Sequence, residues 1–187
     1  GKVRSNFMGT EFQIFNAGAN PKVHDWNFGA PINDTMRSEL GVVMYASNVF
    51  GNRGPRKMNV AIGRVKEDGT PHRIWSPGPE NIATEGRNSS MIELFKKRDS
   101  AAMPDLFSLV NRPPRWNESV GAYVLNFNGR VTMASVKNFQ LVDEENTDKI
   151  ILQFGRVAKD EFTMDFQWPL SPLQAFATTL TSFDSKI

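Results

Sequence analysis

Few of the residues able to hold an anion, move a proton or bind a metal stand in a spacing that does chemistry, and the basic ones that could do so stand in short clusters. Lys2 and Arg4 lie two positions apart in a segment read as extended, so both side chains leave the same face. Arg53, Arg56 and Lys57 gather on the turn at residues 51–57. Arg presents a planar fork matched to phosphate oxygens, and Lys a flexible point charge. By residue type alone, Lys2 and Arg4 read first as solvating an exposed strand edge, and the second cluster fits an ordinary basic turn as well as a rim. The two histidines, His24 and His72, are in no metal-ligand spacing. The run from Gly51 to Lys57 lacks the phosphate-loop spacing, and its lysine is followed by Met58. Asp143-Glu144-Glu145-Asn146 lacks the glycine and closing glutamate of a calcium loop, and reads as a solvated hairpin loop. Asp160 and Glu161 read as neighbours on a strand, pointing to opposite faces, which rules out an acid/base pair. No catalytic residue, metal or cofactor is expected.

The length fits one domain able to bury most of its apolar surface, and 40% hydrophobic with 22% charged residues is globular composition. Cysteine is absent, so disulfide and thiolate chemistry are excluded, which suits a reducing compartment. Residues 166–183 carry no charge but contain Pro169 and Pro172 with Gln, Thr and Ser, too polar and broken for a membrane span. No signal peptide is read, three sequons are taken as chance matches, and a start at Gly1 suggests a fragment. The net charge of +2 is uneven: residues 1–75 hold ten Lys/Arg against six Asp/Glu, and the remainder twelve against fourteen. A basic first portion suits an anionic partner.

These groups must be positioned by strands. Phe12 and Ile14 alternate with Glu11 and Gln13. The same alternation runs through Met58, Val60 and Ile62, through Tyr123, Leu125 and Phe127, through Ile150, Leu152 and Phe154, and through Phe162, Met164 and Phe166. Residues 42–45 form a continuous apolar run, read as a strand covered on both faces. Asp68-Gly69 and Asn128-Gly129 supply turns. An antiparallel barrel or sandwich follows. Residues 66–115 read as long loops, with one strand at 90–95 and a solvated charged run Lys96-Lys97-Arg98-Asp99. At the end, Ser171 caps a helix with Pro172 in its first turn. Leu173, Phe176, Ala177, Leu180 and Phe183 follow helical spacing, while Gln174, Thr178, Thr181 and Ser182 opposite are uncharged. A helix enclosed by the sheet is inferred, with packing by one side as the alternative.

The stretch Asn126-Phe127-Asn128-Gly129-Arg130-Val131-Thr132-Met133-Ala134-Ser135-Val136-Lys137-Asn138-Phe139-Gln140 resembles the signature of the tubby family. So do Gln153-Phe154-Gly155-Arg156-Val157-Ala158, Phe162-Thr163-Met164-Asp165, Leu173-Gln174-Ala175-Phe176-Ala177 and Ser182-Phe183-Asp184-Ser185-Lys186. Arg4-Ser5-Asn6-Phe7-Met8-Gly9-Thr10, Tyr45-Ala46-Ser47-Asn48-Val49-Phe50-Gly51 and Gly54-Pro55-Arg56-Lys57-Met58 match in order. The resemblance spans nearly the whole chain and is weakest between residues 64 and 115. It implies a closed antiparallel β-barrel of up to twelve strands around a buried hydrophobic C-terminal helix. Residues 1–187 would be one tubby-like C-terminal domain, N-terminally incomplete, because the family has strands before the Lys-x-Arg-Ser-Asn segment. Asn128 stands where many members have histidine. The resemblance further implies a phosphoinositide-binding module, with Lys2, Arg4 and Arg37 as headgroup cations and Arg53, Arg56 and Lys57 as a rim. A family asparagine contact on an earlier strand has no counterpart here. The implied setting is a trafficking adaptor in the cytoplasm, peripheral at plasma or ciliary membrane, or nuclear, meeting its cargo through segments outside this chain. The second reading is a nucleic-acid-binding transcriptional regulator. Against it, no helix reads as a recognition helix, and the aromatic residues alternate into the core.

Overall fold

The computed structural model describes residues 1–19, 37–46, 57–76, 90–119 and 121–184. Among the described residues ten strands form in chain order: β1 (Lys2–Ser5), β2 (Glu11–Phe15), β3 (Glu39–Tyr45), β4 (Met58–Gly63), β5 (Leu106–Asn111), β6 (Arg115–Asn117), β7 (Ala122–Val124), β8 (Phe139–Asp143), β9 (Ile150–Ala158) and β10 (Glu161–Phe166). The α-helices described with them are α1 (Met91–Lys96) and α2 (Pro172–Thr181). Eight strands make one antiparallel sheet in the order β1-β2-β3-β4-β5-β8-β9-β10, and β6 pairs with β7 apart from it.

The β1–β2 hairpin has a local cause. Between β1 and β2, the Asn6 side-chain oxygen accepts from the Thr10 N–H at 2.9 Å and the Glu11 N–H at 3.3 Å, while Gly9 turns at positive φ. The β8–β9 loop is the acidic run, as expected. The alternation then sorts side chains onto two faces. Phe12, Ile14, Val43, Val60, Leu109, Leu141 and Leu152 fill the concave face, each burial stabilising by roughly 1.5–3 kcal/mol. Val42 and Ala61 face the other way, into a second cluster with Trp75, Met91, Phe95 and Leu106. Val42 and Val43 are both wholly buried, so the apolar run at 42–45 is covered on both faces, as its composition implies.

Helix α2 lies in the concavity and touches β2, β3 and β10, strands from both ends of the sheet order, so the sheet curls into a half-barrel. Its start is a capping box: the Ser171 hydroxyl accepts from the Gln174 N–H, and Gln174 Oε1 accepts from the Ser171 N–H at 2.9 Å.

Among the described residues the sheet has eight strands, curled into a half-barrel. Other expectations are corrected. Helix α2 is not enclosed, and the side against the sheet is its small polar one. Ala175 and Thr178 are fully buried and Thr179 and Thr181 nearly so, whereas Phe176 is 54% exposed and Leu180 44%. Small residues let the backbone approach the sheet, and the Thr178 hydroxyl is satisfied by the Gln174 carbonyl at 2.8 Å. Residues 91–96 are helical, not extended, because Met91, Ile92 and Phe95 recur at helical spacing against the convex cluster. Residues 106–111 are a central strand within the stretch read as loop. The third alternating run stops at Val124. Asp160 is a turn residue at φ 61°, so it does not share a strand with Glu161.

Candidate functional site

The corner formed by β1, the end of β2 and the start of β3 collects the basic residues singled out from the sequence. In the β1–β2 register Lys2 lies opposite Phe15 and Arg4 opposite Gln13. Cross-strand partners share a face, so Lys2, Arg4, Gln13 and Phe15 all emerge on the convex side, away from Phe12 and Ile14. Arg37 arrives from the stretch preceding β3. The Asn16 side-chain oxygen accepts from the Ser38 N–H at 2.8 Å, the Asn16 N–H bonds the Ser38 carbonyl at 3.1 Å, and the Arg37 N–H bonds the Ala19 carbonyl at 3.0 Å. These bonds fix Arg37 beside the end of β2.

The two arginines meet on one ring. The Arg4 guanidinium carbon lies 5.7 Å from the Phe15 ring centroid and that of Arg37 lies 5.8 Å from it. Both separations are within cation–π range. Among the described residues neither arginine, nor Lys2, has a carboxylate within ion-pair distance. Arg37 Nε is a buried donor with no acceptor among them.

A bulge shapes the corner. Phe15 pairs with Glu39 and Ile14 with Gly41, so Leu40 is the extra residue on β3. Leu40 packs against the concave core, and the shift returns Glu39 to the convex face beside Phe15. The Leu40 carbonyl accepts from Gln174 Nε2 at 2.8 Å, tying the bulge to the first turn of α2. Glu39 is committed elsewhere, accepting from Gln13 Nε2 at 3.1 Å and from the Met91 N–H at 2.7 Å. Burial, outweighing those two bonds, holds its carboxyl above the usual glutamate range.

Of the other basic residues read from the sequence, Arg53 and Arg56 lie outside the described residues. Lys57 is exposed and directly precedes β4. Its carbonyl accepts from the Ala46 N–H, at the far end of β3 from Glu39, about 20 Å along the strand. His24 also lies outside the described residues, and His72 sits in an exposed bend. Among the described residues, no group of three or more His, Cys, Asp or Glu side chains is placed to hold a metal ion, and no helix is long and apolar enough to cross a membrane. Sequence reading missed Phe15 and Asn16. The signal for Phe15 was present: an aromatic residue on the polar parity of a strand whose apolar parity is Phe12 and Ile14.

The signature segment plays a different part. Arg130 grips Asp165 with two N–H groups at 3.0 and 2.7 Å, and its partner's carboxyl is held below the usual aspartate range chiefly by that contact. The Thr163 hydroxyl bonds the Arg130 carbonyl, and the Arg156 N–H bonds Asn138 Oδ1. Buried Gln140 donates to Gln153 Oε1 and to the Asn126 carbonyl. Asn128 and Gly129 both turn at positive φ.

Comparison with known proteins agrees with this scaffold. The Tub family model matches residues 1–185. Tubby-related protein 2 of Mus musculus is 47% identical over 187 residues, covering all of this chain and 31% of the relative. Tubby-related protein 1 of Homo sapiens is 43% identical, with 32% of its length covered, and Tubby protein homolog 1 of Caenorhabditis elegans is 41% identical, with 41% covered. The chain thus spans roughly a third of the length of these relatives. With a family model matched almost end to end, this chain belongs to the Tub family.

Proposed function

We propose that this chain is a phosphoinositide-binding module that acts by binding alone, with Lys2, Arg4 and Arg37 holding a headgroup of the phosphatidylinositol 4,5-bisphosphate type. The observation that carries this reading is the convergence of two arginines on one ring with no carboxylate in ion-pair distance among the described residues. A phosphorylated inositol ring offers several anionic oxygens in a small volume. Two guanidinium forks and one ammonium supply matching donors from two separate segments. Lys57, with Arg53 and Arg56, would contribute as a rim through general attraction to anionic lipid, roughly 1 kcal/mol for each residue near the surface.

In the whole protein this module would tether an adaptor to plasma or ciliary membrane from the cytoplasm, with cargo bound through other segments. We read the half-barrel as part of a closed barrel of up to twelve strands, because β1 and β10 pair on one side only among the described residues while Phe176 and Leu180 stand outward.

Cosedimentation tests the reading. The chain is mixed at physiological salt with vesicles carrying phosphatidylinositol 4,5-bisphosphate, with vesicles matched in charge by phosphatidylserine, and with duplex DNA. Preference for the phosphoinositide, lost in Lys2→Ala/Arg4→Ala, is expected. Equal retention on all three would identify an unspecific basic surface or a nucleic-acid binder instead.

A further inference from the structure

We propose that Phe15 is the positioning residue of this site, presenting the Arg4 and Arg37 guanidinium groups to a single phosphorylated ring; the inference rests on the headgroup reading above. An arginine can be ordered in two ways. A carboxylate does so by occupying its N–H donors, as Asp165 does for Arg130. An aromatic face attracts the charge without accepting a conventional hydrogen bond, so the in-plane N–H groups stay available. At 5.7 and 5.8 Å, Phe15 engages both cations this way. Ordering long side chains at the moment of binding weakens affinity, and here the ring has already restricted both.

The backbone explains why the ring stands in this place. Phe15 is the last residue of β2 and has the parity of Glu11 and Gln13, which sets it on the convex face opposite Lys2. Asn16, next in sequence, carries the bonds that bring residues 37 and 38 alongside. Platform and second arginine are therefore fixed by adjacent residues. The β3 bulge at Leu40 keeps the buried Glu39 on the same side, but its carboxylate oxygens are taken by Gln13 and the Met91 N–H. The acid nearest in register is thus held away from competing with a ligand for the two arginines.

Substituting the ring separates an electrostatic platform from mere bulk. Phe15 is replaced by 4-fluoro-, 3,5-difluoro- and 3,4,5-trifluorophenylalanine, which drain the ring face of negative potential at nearly constant size. Phe15→Leu and Phe15→Trp bracket the series. Binding is measured with soluble inositol 1,4,5-trisphosphate and with phosphatidylcholine vesicles carrying phosphatidylinositol 4,5-bisphosphate. We expect a stepwise loss in both arms, about three- to tenfold at Phe15→Leu, retention or gain at Phe15→Trp, and an unchanged melting temperature across the fluorinated set. A flat series, with Lys2→Ala/Arg4→Ala still losing binding, would overturn the role of Phe15 and leave the headgroup reading intact. A loss confined to the vesicle arm would also overturn it, since the ring would then act through the bilayer. If Lys2→Ala/Arg4→Ala binds both probes like the parent, the headgroup reading falls and the role of Phe15 with it.

Discussion

Two regions of this molecule hold arginines in opposite ways. In the segment from Asn126 to Gln140, Arg130 is forked onto Asp165, its carbonyl is bonded by Thr163, and the chain around it is stitched to β9 and β10. In the corner of β1, β2 and β3, Arg4 and Arg37 rest on Phe15, and Arg37 Nε has no acceptor among the described residues. The first arrangement uses the donors of its arginine to hold the fold. The second keeps donors available. The segment from Asn126 to Gln140, which carries the longest stretch of family resemblance, is therefore largely scaffold, and the proposed binding site lies elsewhere in the chain.

The contrast can be broken in several ways, and the largest effect is expected at the open corner. Lys2→Ala/Arg4→Ala should weaken headgroup binding by about two orders of magnitude or more, since a hydrogen bond to a charged group contributes about 1.5–3 kcal/mol. Its urea midpoint should stay that of the parent. Arg130→Ala should do the reverse, lowering the midpoint and leaving vesicle binding unchanged.

Next in size is Gly155→Ala. A Cβ there would overlap both Val131 methyls, so the signature segment must move off β9. We expect a loss of about 1–3 kcal/mol in urea unfolding, with binding preserved. Impaired binding at full stability would show that the scaffold and the site are coupled.

A smaller effect is the pH dependence, which takes opposite signs at carboxylates paired with arginine and at the buried Glu39. Asp165 and Glu144 are held low mainly by hydrogen bonds from Arg130 and Arg98. Their stabilisation is present above the ordinary carboxylate range near pH 4 and is lost as pH falls through the lower folded values. Glu144→Gln should remove about 0.5–1 kcal/mol at pH 7 and little at pH 3. Glu39 is raised by burial, so the folded form binds its proton more tightly, and stability declines as pH rises from the unfolded value through the folded one. Glu39→Gln should flatten that decline in urea unfolding between pH 4 and 7.

Much of the sheet was legible because alternation is a local signal. Strands β2, β4, β9 and β10 all announce one buried face. Strand β5 was hidden by the prolines around it, and α1 by its brevity, since Met91, Ile92 and Phe95 span barely one turn. The orientation of α2 was illegible for a physical reason. Its two uncharged sides were both compatible with burial, and close approach to the sheet selected the small one. Phe176→Gln should accordingly change stability by no more than about 0.5 kcal/mol, whereas Thr178→Leu should cost about 1–3 kcal/mol by overpacking, both read from thermal unfolding. At the site, Lys2 and Arg4 were linked by spacing, but Arg37 comes from a separate segment and only the resemblance joined it to them. The ring that meets both arginines belongs to a strand that reads as ordinary.

The most direct test titrates soluble inositol 1,4,5-trisphosphate calorimetrically into the parent chain, Arg37→Ala and Arg130→Ala, all confirmed folded. Arg130→Ala should bind like the parent, and Arg37→Ala should lose at least about tenfold in affinity. Undiminished binding by Arg37→Ala would contradict a headgroup site at this corner.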